Sequence, residues 1–254
     1  MNVTHYPWLV FALSVITLSV SAWAGWSLLG RWHALDEDLR PDHSIILAAT
    51  LTLLALIIGF SFSMAVNRYD QRKTDEESEA NAIGTAFVRA DLLPAGDAAK
   101  MRTLLADYLD QRILAYTTSD ETQLSRIRSQ TDQLQAGLWS TVQAPATANP
   151  NPVIALAVSG VNDVLNARGY TQAANRNRLP NEVWIFLAIV AILANALVGW
   201  GLHHNKGAAR LLVILPLISA LAFLLIADID TPRHGIIQVQ PQNLISLAQS
   251  MHPK

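Results

Sequence analysis

Two histidines and four carboxylates fall within eleven residues, His33-Ala-Leu-Asp36-Glu37-Asp38-Leu-Arg-Pro-Asp42-His43, a set of donors that suits a divalent cation. Their spacing matches no fixed ligand pattern, and a polar loop ending two apolar segments is the alternative reading, so no metal site is assigned. A second concentration of charge, Asp75-Glu-Glu-Ser-Glu79, holds four carboxylates in five residues. Spread around a helix they form a solvated face; repeated around an oligomer they form a cation-binding ring. His203-His204 with Lys206 reads as an interfacial turn. Asn195 stands alone as an amide in an apolar run, where it either hydrogen-bonds across helices or faces a pore.

None of these groups builds an enzyme. The chain has no glycine-rich phosphate loop, no His-Glu-x-x-His and no serine elbow, so no catalytic residue and no cofactor are expected. It contains no cysteine, which removes disulfides, thiolate metal sites and cysteine nucleophiles.

The elements that must position these residues are set by four uncharged runs. Residues 1–30, 43–67, 183–205 and 211–227 carry no Asp, Glu, Lys or Arg. About 20 apolar helical residues cross a lipid core. The pattern therefore predicts spans near 7–30, 44–66, 183–202 and 208–227, the first kept as a helix rather than cleaved as a signal, and Pro216 is expected to kink the fourth. Between them, residues 67–182 hold 12 of the 18 Lys and Arg and 14 of the 20 Asp and Glu. Both signs are interspersed there, which gives no reason to expect a nucleic-acid partner. Seven basic residues (Arg68, Arg72, Lys73, Arg168, Arg176, Arg178, Arg233) lie near span ends on one side, against Arg31, Arg40, Lys206 and Arg210 on the other. That bias puts the middle segment and both termini in the cytoplasm.

The middle segment reads as helices throughout. The second span is expected to continue to about 93, with Ile83, Phe87 and Ala90 on its apolar side. A helix over 97–117 repeats Met101, Leu104, Leu105, Tyr108 and Leu109. Another over 120–142 opens on Asp120-x-x-Gln123 and carries a heptad-like seam of Leu124, Ile127, Thr131, Leu134 and Leu138. Prolines mark 144–152 as a loop, and Pro152 starts a helix over 152–176. The expected fold class is an all-α integral membrane protein, with spans 1 and 2 over 1–66, a cytoplasmic helical bundle over 67–182, spans 3 and 4 over 183–227, and a tail over 228–254.

The second span carries the most specific pattern. Thr52-x-x-x-Leu56-x-x-x-Phe60 puts three side chains on one helical face; Gly59 would let another helix approach, and Ser61 and Ser63 bring hydroxyls to the same depth. Ile58-Gly59-Phe60, followed nine residues after the glycine by Arg68-Tyr69, resembles the second transmembrane helix of bestrophins. Gly59-Phe-Ser-Phe-Ser-Met-Ala-Val-Asn-Arg-Tyr-Asp70, Glu79-Ala-Asn-Ala-Ile-Gly-Thr85, Arg89-Ala-Asp-Leu-Leu-Pro94 and Ala227-Asp228-Ile-Asp230-Thr-Pro232-Arg-His-Gly235 are similar to bacterial bestrophin-like membrane proteins.

The resemblance implies a homo-oligomer, a pentamer, in the bacterial inner membrane, with second spans around a pore for a permeant ion. Thr52, Leu56 and Phe60 would form its hydrophobic neck, with Gly59, Ser63 and Asn195 as packing or pore-adjacent residues and Arg68, Glu76 and Glu79 as candidates along a cytoplasmic conduit. Leu56 replaces the bulky aromatic usual in the family, and Thr52 replaces a larger residue. Only Asp228 and Asp230 stand where animal members carry a dense calcium-binding cluster, so calcium gating is not expected. The alternative function is a non-conducting sensor or scaffold whose helical bundle, through the 124–138 seam, docks a cytoplasmic partner.

Overall fold

The computed structural model describes residues 6–29, 37–203 and 206–251, all helix, turn or irregular chain with no strand among them. They fall into two compact units, one of 6–68 with Arg178–Gln238 and one of Tyr69–Asn177 with 239–251. Four helical stretches are long and apolar enough to cross a membrane.

The first unit contains α1 (Pro7–Ala24), the opening half of α2 (Arg40–Arg89), α6 (Asn181–Gly201) and α7 (Ile214–Asp230). α1 runs on through a π-helical turn at Gly25–Leu29. Its packing on α6 depends on two glycines. A β-carbon on Gly25 would overlap the Ala196 carbonyl oxygen, and one on Gly199 would overlap that of Ala22. The backbones therefore meet directly, as small residues allow in membranes, and Ser21 Oγ adds a hydrogen bond to the Ile192 carbonyl at 2.7 Å. Val10, Leu18, Leu54, Leu187, Val190, Ala191, Phe223 and Ala227 make the apolar core of this unit.

Pro216 does not kink α7 from within. The helix begins at Ile214 after a 3₁₀ segment, Lys206–Val213, which puts the proline in the first turn, where amides have no intrahelical acceptor to lose.

The second unit packs the rest of α2 with α3 (Ala95–Thr117), α4 (Glu121–Ala148), α5 (Pro152–Arg176) and α8 (Gln242–Met251). Ile83, Met101, Leu105, Tyr108, Leu138, Val142, Val161, Val164 and Leu244 are buried at its centre. Asp120 caps α4 by accepting from the Thr122 amide at 2.9 Å, and Asn151 caps α5 through the Val153 and Ile154 amides. Leu124, Ile127, Thr131 and Leu138 of the seam are buried and Leu134 is half-buried, so the seam serves the bundle's own interior.

Two expectations need correction here. α4 continues through Pro145 to Ala148 instead of ending before a loop at 144. Pro145 forfeits one backbone bond near the helix end, and its burial with Val142 holds the last turn in place. The tail is not one separate piece: α7 extends to Asp230, and α8 belongs to the bundle.

Candidate functional site

α2 is one helix of 50 residues, about 75 Å at 1.5 Å per residue. Its apolar half has two unlike sides. Leu54, Ser61 and Ala65 are buried, with Leu51, Ile57 and Ile58 packed beside Leu54. At about 100° per residue, Thr52, Leu56, Gly59, Phe60 and Ser63 occupy an arc roughly opposite those three. All five are exposed, Leu56 at 53% and Phe60 at 69%. The structure thus brings the expected neck residues onto one free face. Among the described residues nothing lies within 4 Å of where a β-carbon on Gly59 would stand, so no described helix of the chain uses the close approach it permits.

Of the four candidate spans, this one is the least covered. Within the most apolar window of each candidate span, 22%, 33% and 44% is buried in the first, third and fourth, against 11% in the second. The exposed side chains are also less polar than their names suggest. Thr52 Oγ1 donates to the Ala48 carbonyl at 2.8 Å, which turns its hydroxyl onto its own helix and leaves the methyl outward.

Beyond the apolar half, the acidic run behaves differently from the solvated face expected of it. Asp75, Glu76 and Glu79 are buried; Glu77 is exposed. Glu79, with no exposed surface, accepts from Arg112 Nε at 2.5 Å and Nη2 at 3.2 Å, from Tyr108 Oη at 3.4 Å and from Thr171 Oγ1 at 3.2 Å. Burial opposes the Arg112 charge, but the Glu79 carboxylate's charge and hydrogen bonds outweigh it and hold the guanidinium above its ordinary range. Burial, reinforced by Glu79, pushes the Tyr108 and Tyr116 phenols up. Glu76 accepts from the Asn243 amide and Nδ2 and from the Leu244 amide, at 2.6–3.0 Å.

Both carboxylates are thus buried and hydrogen-bonded within the chain. Arg68 is half-buried on the core side of α2, and its Nε has no hydrogen-bond partner among the described residues. By helical phase Asp70 and Glu77 fall about five and seven turns after Thr52, and both are exposed. Counting turns from Thr52 is the signal that would have separated them from Glu76 and Glu79.

Asn195 is fully buried, and its Nδ2 donates to the Ala191 carbonyl of its own helix at 2.8 Å, not across to a neighbour. Asp228 accepts from the Ile236 and Ile237 amides at 2.7 and 2.8 Å, and Asp230 from the Leu179 amide at 3.1 Å. These two carboxylates fasten chain segments. His43, with its Nε2 3.0 Å from the Leu197 carbonyl, packs edge-on to Trp200. His33, Asp36 and His204 lie outside the described residues, and among the described residues no three His, Cys, Asp or Glu converge on a metal position.

Against known proteins, the Bestrophin-like domain family matches residues 10–244. A bacterial bestrophin homologue from Klebsiella pneumoniae superposes with a TM-score of 0.66 at 13% identity, covering 95% of this chain and 96% of that one. Two single-residue variants of that homologue give TM-scores of 0.67 and 0.65 at 12% identity, covering 95% and 98% of this chain and 93% and 99% of theirs. A comparison with curated protein sequences gives no match. The match over most of the length, on a fold shared with the bacterial homologues, makes this chain a member of the bestrophin-like family.

Proposed function

We propose that the protein is an oligomeric ion channel of the inner membrane, with bundle and termini cytoplasmic and the second spans of several copies, five by family resemblance, arranged around a pore. The observation that carries this reading is the free face of α2. An apolar helix with 11% of its most apolar window buried in its own protomer, and with Thr52, Leu56 and Phe60 aligned and exposed, needs something beyond its own fold to face. Copies of the same helix around an axis supply it. Stacked side chains of that size form a constriction that opens and closes by wetting.

Beyond the neck, the same helical phase presents Asp70 and Glu77 against Lys73, all exposed and together net negative, which favours cations. The scaffold alternative rested on the 124–138 seam, whose residues are taken up inside the bundle, and no other residue favours it. Recording in planar bilayers tests the channel. The unaltered protein should give discrete openings, and Phe60→Ala or Leu56→Ala should enlarge them; unchanged conductance in both variants would remove the neck.

A further inference from the structure

α8 spans ten residues, fewer than a helix needs to hold itself in water. The residue before it is Pro241, which has no side-chain oxygen to accept from the first amides. That acceptor comes from 167 residues earlier in the sequence. Glu76 Oε1 takes the Asn243 and Leu244 amides, both at 3.0 Å, and Oε2 takes Asn243 Nδ2 at 2.6 Å. A carboxylate there also meets the positive end of the helix dipole.

The remaining attachment is apolar and sparse. Leu244 is the one side chain of α8 that is fully buried, while Leu247, Ala248 and Met251 pack at the edge of the core. Leu247 lies over Gly84 of α2, 3.2 Å from where a β-carbon would stand. No charged side chain occurs in Gln242–Met251, and the chain leading to it, 231–241, has no regular structure.

We propose that α8 is a releasable strap, helical only while Glu76 caps it, which leaves the bundle as a unit while α3, α4 and α5 stay folded. Glu76 is then a positioning residue, acting on α8 from the helix that also carries Thr52, Leu56 and Phe60. Release uncovers α2 around Gly84. Any effect of release on conduction rests on the channel reading; the strap itself does not.

The experiment is amide hydrogen exchange, by mass spectrometry, on the full chain in lipid nanodiscs. Glu76→Gln keeps the side-chain volume but replaces one acceptor oxygen with a donor facing Asn243. It should speed exchange across 244–251 about tenfold, with α3–α5 unchanged. Asn243→Ala, which leaves every residue of α2 to α5 intact, should act in the same direction and less strongly. Leu124→Ala, in a separate small cluster with Ala115 and Ile127, should loosen α4 and leave α8 protected. Unchanged α8 protection in Glu76→Gln, or exchange rising equally throughout the bundle, would overturn the strap. Bilayer recording of the same proteins separates the two ideas: faster α8 exchange with no currents in either protein upholds the strap and counts against the channel.

Discussion

Replacing Glu79 with alanine should be among the most damaging single changes to the bundle. The carboxylate has no exposed surface, and the change leaves the Arg112 guanidinium, its side chain 11% exposed, without its counter-charge. Breaking a buried pair from one side costs about 3–5 kcal/mol. Thr171 keeps its bond to the Ala167 carbonyl, so its hydroxyl adds little to that figure. A unit on the order of 120 residues unfolds with an entropy near 0.25 kcal/mol/K, so its Tm should fall by about 12–20 °C. Thermal unfolding of the purified protein in detergent, followed by circular dichroism, reads this directly. Glu79→Leu with Arg112→Leu should recover part of the loss, because two apolar residues replace the pair instead of stranding one charge. A fall of less than about 3 °C in Glu79→Ala would refute the reasoning, as would a double variant less stable than both singles combined.

Tyr108 and Tyr116, two of five tyrosines, should stay neutral through the range in which an exposed phenol ionises. Their folded pKa values are raised, so this contribution to stability is complete below the unfolded value of about 10 and is lost as pH climbs above it. Phenolate absorbance from them should therefore appear only together with loss of helical signal; ionisation near pH 10 in the intact fold would contradict their placement. Gly199→Val should lower the Tm of the first unit by the equivalent of about 3 kcal/mol, because even its β-carbon overlaps the Ala22 carbonyl. Gly199→Ala should act in the same direction, and unaltered melting in both would contradict the contact.

Features carried by local periodicity were readable from the sequence. The seam from Leu124 to Leu138 and the start of α5 at Pro152 follow from short-range spacing and capping, and the structure has both. What was misread depends on partners far away. Glu76 and Glu79 resemble their exposed neighbour Glu77 in composition; Arg112, Thr171 and Asn243 set them apart, and these lie 33, 92 and 167 positions on from the carboxylates they meet. The two prolines were misjudged for a related reason. Their cost depends on position along a helix, and packing sets the ends: Pro145 lies near the end of α4 and Pro216 in the first turn of α7. Thr52, Leu56 and Phe60 were legible as a stripe, but a stripe has no outside until the rest of the fold is in place. The burial of Leu54, Ser61 and Ala65 supplies it.

Single-channel recording of the purified protein in planar bilayers under asymmetric salt, comparing the unaltered protein with Phe60→Ala, tests the proposed pore most directly. Discrete openings, a reversal potential on the cation side and larger conductance in the variant are the expected result. Openings of identical size and selectivity in both proteins would contradict a pore lined by the Thr52–Leu56–Phe60 face.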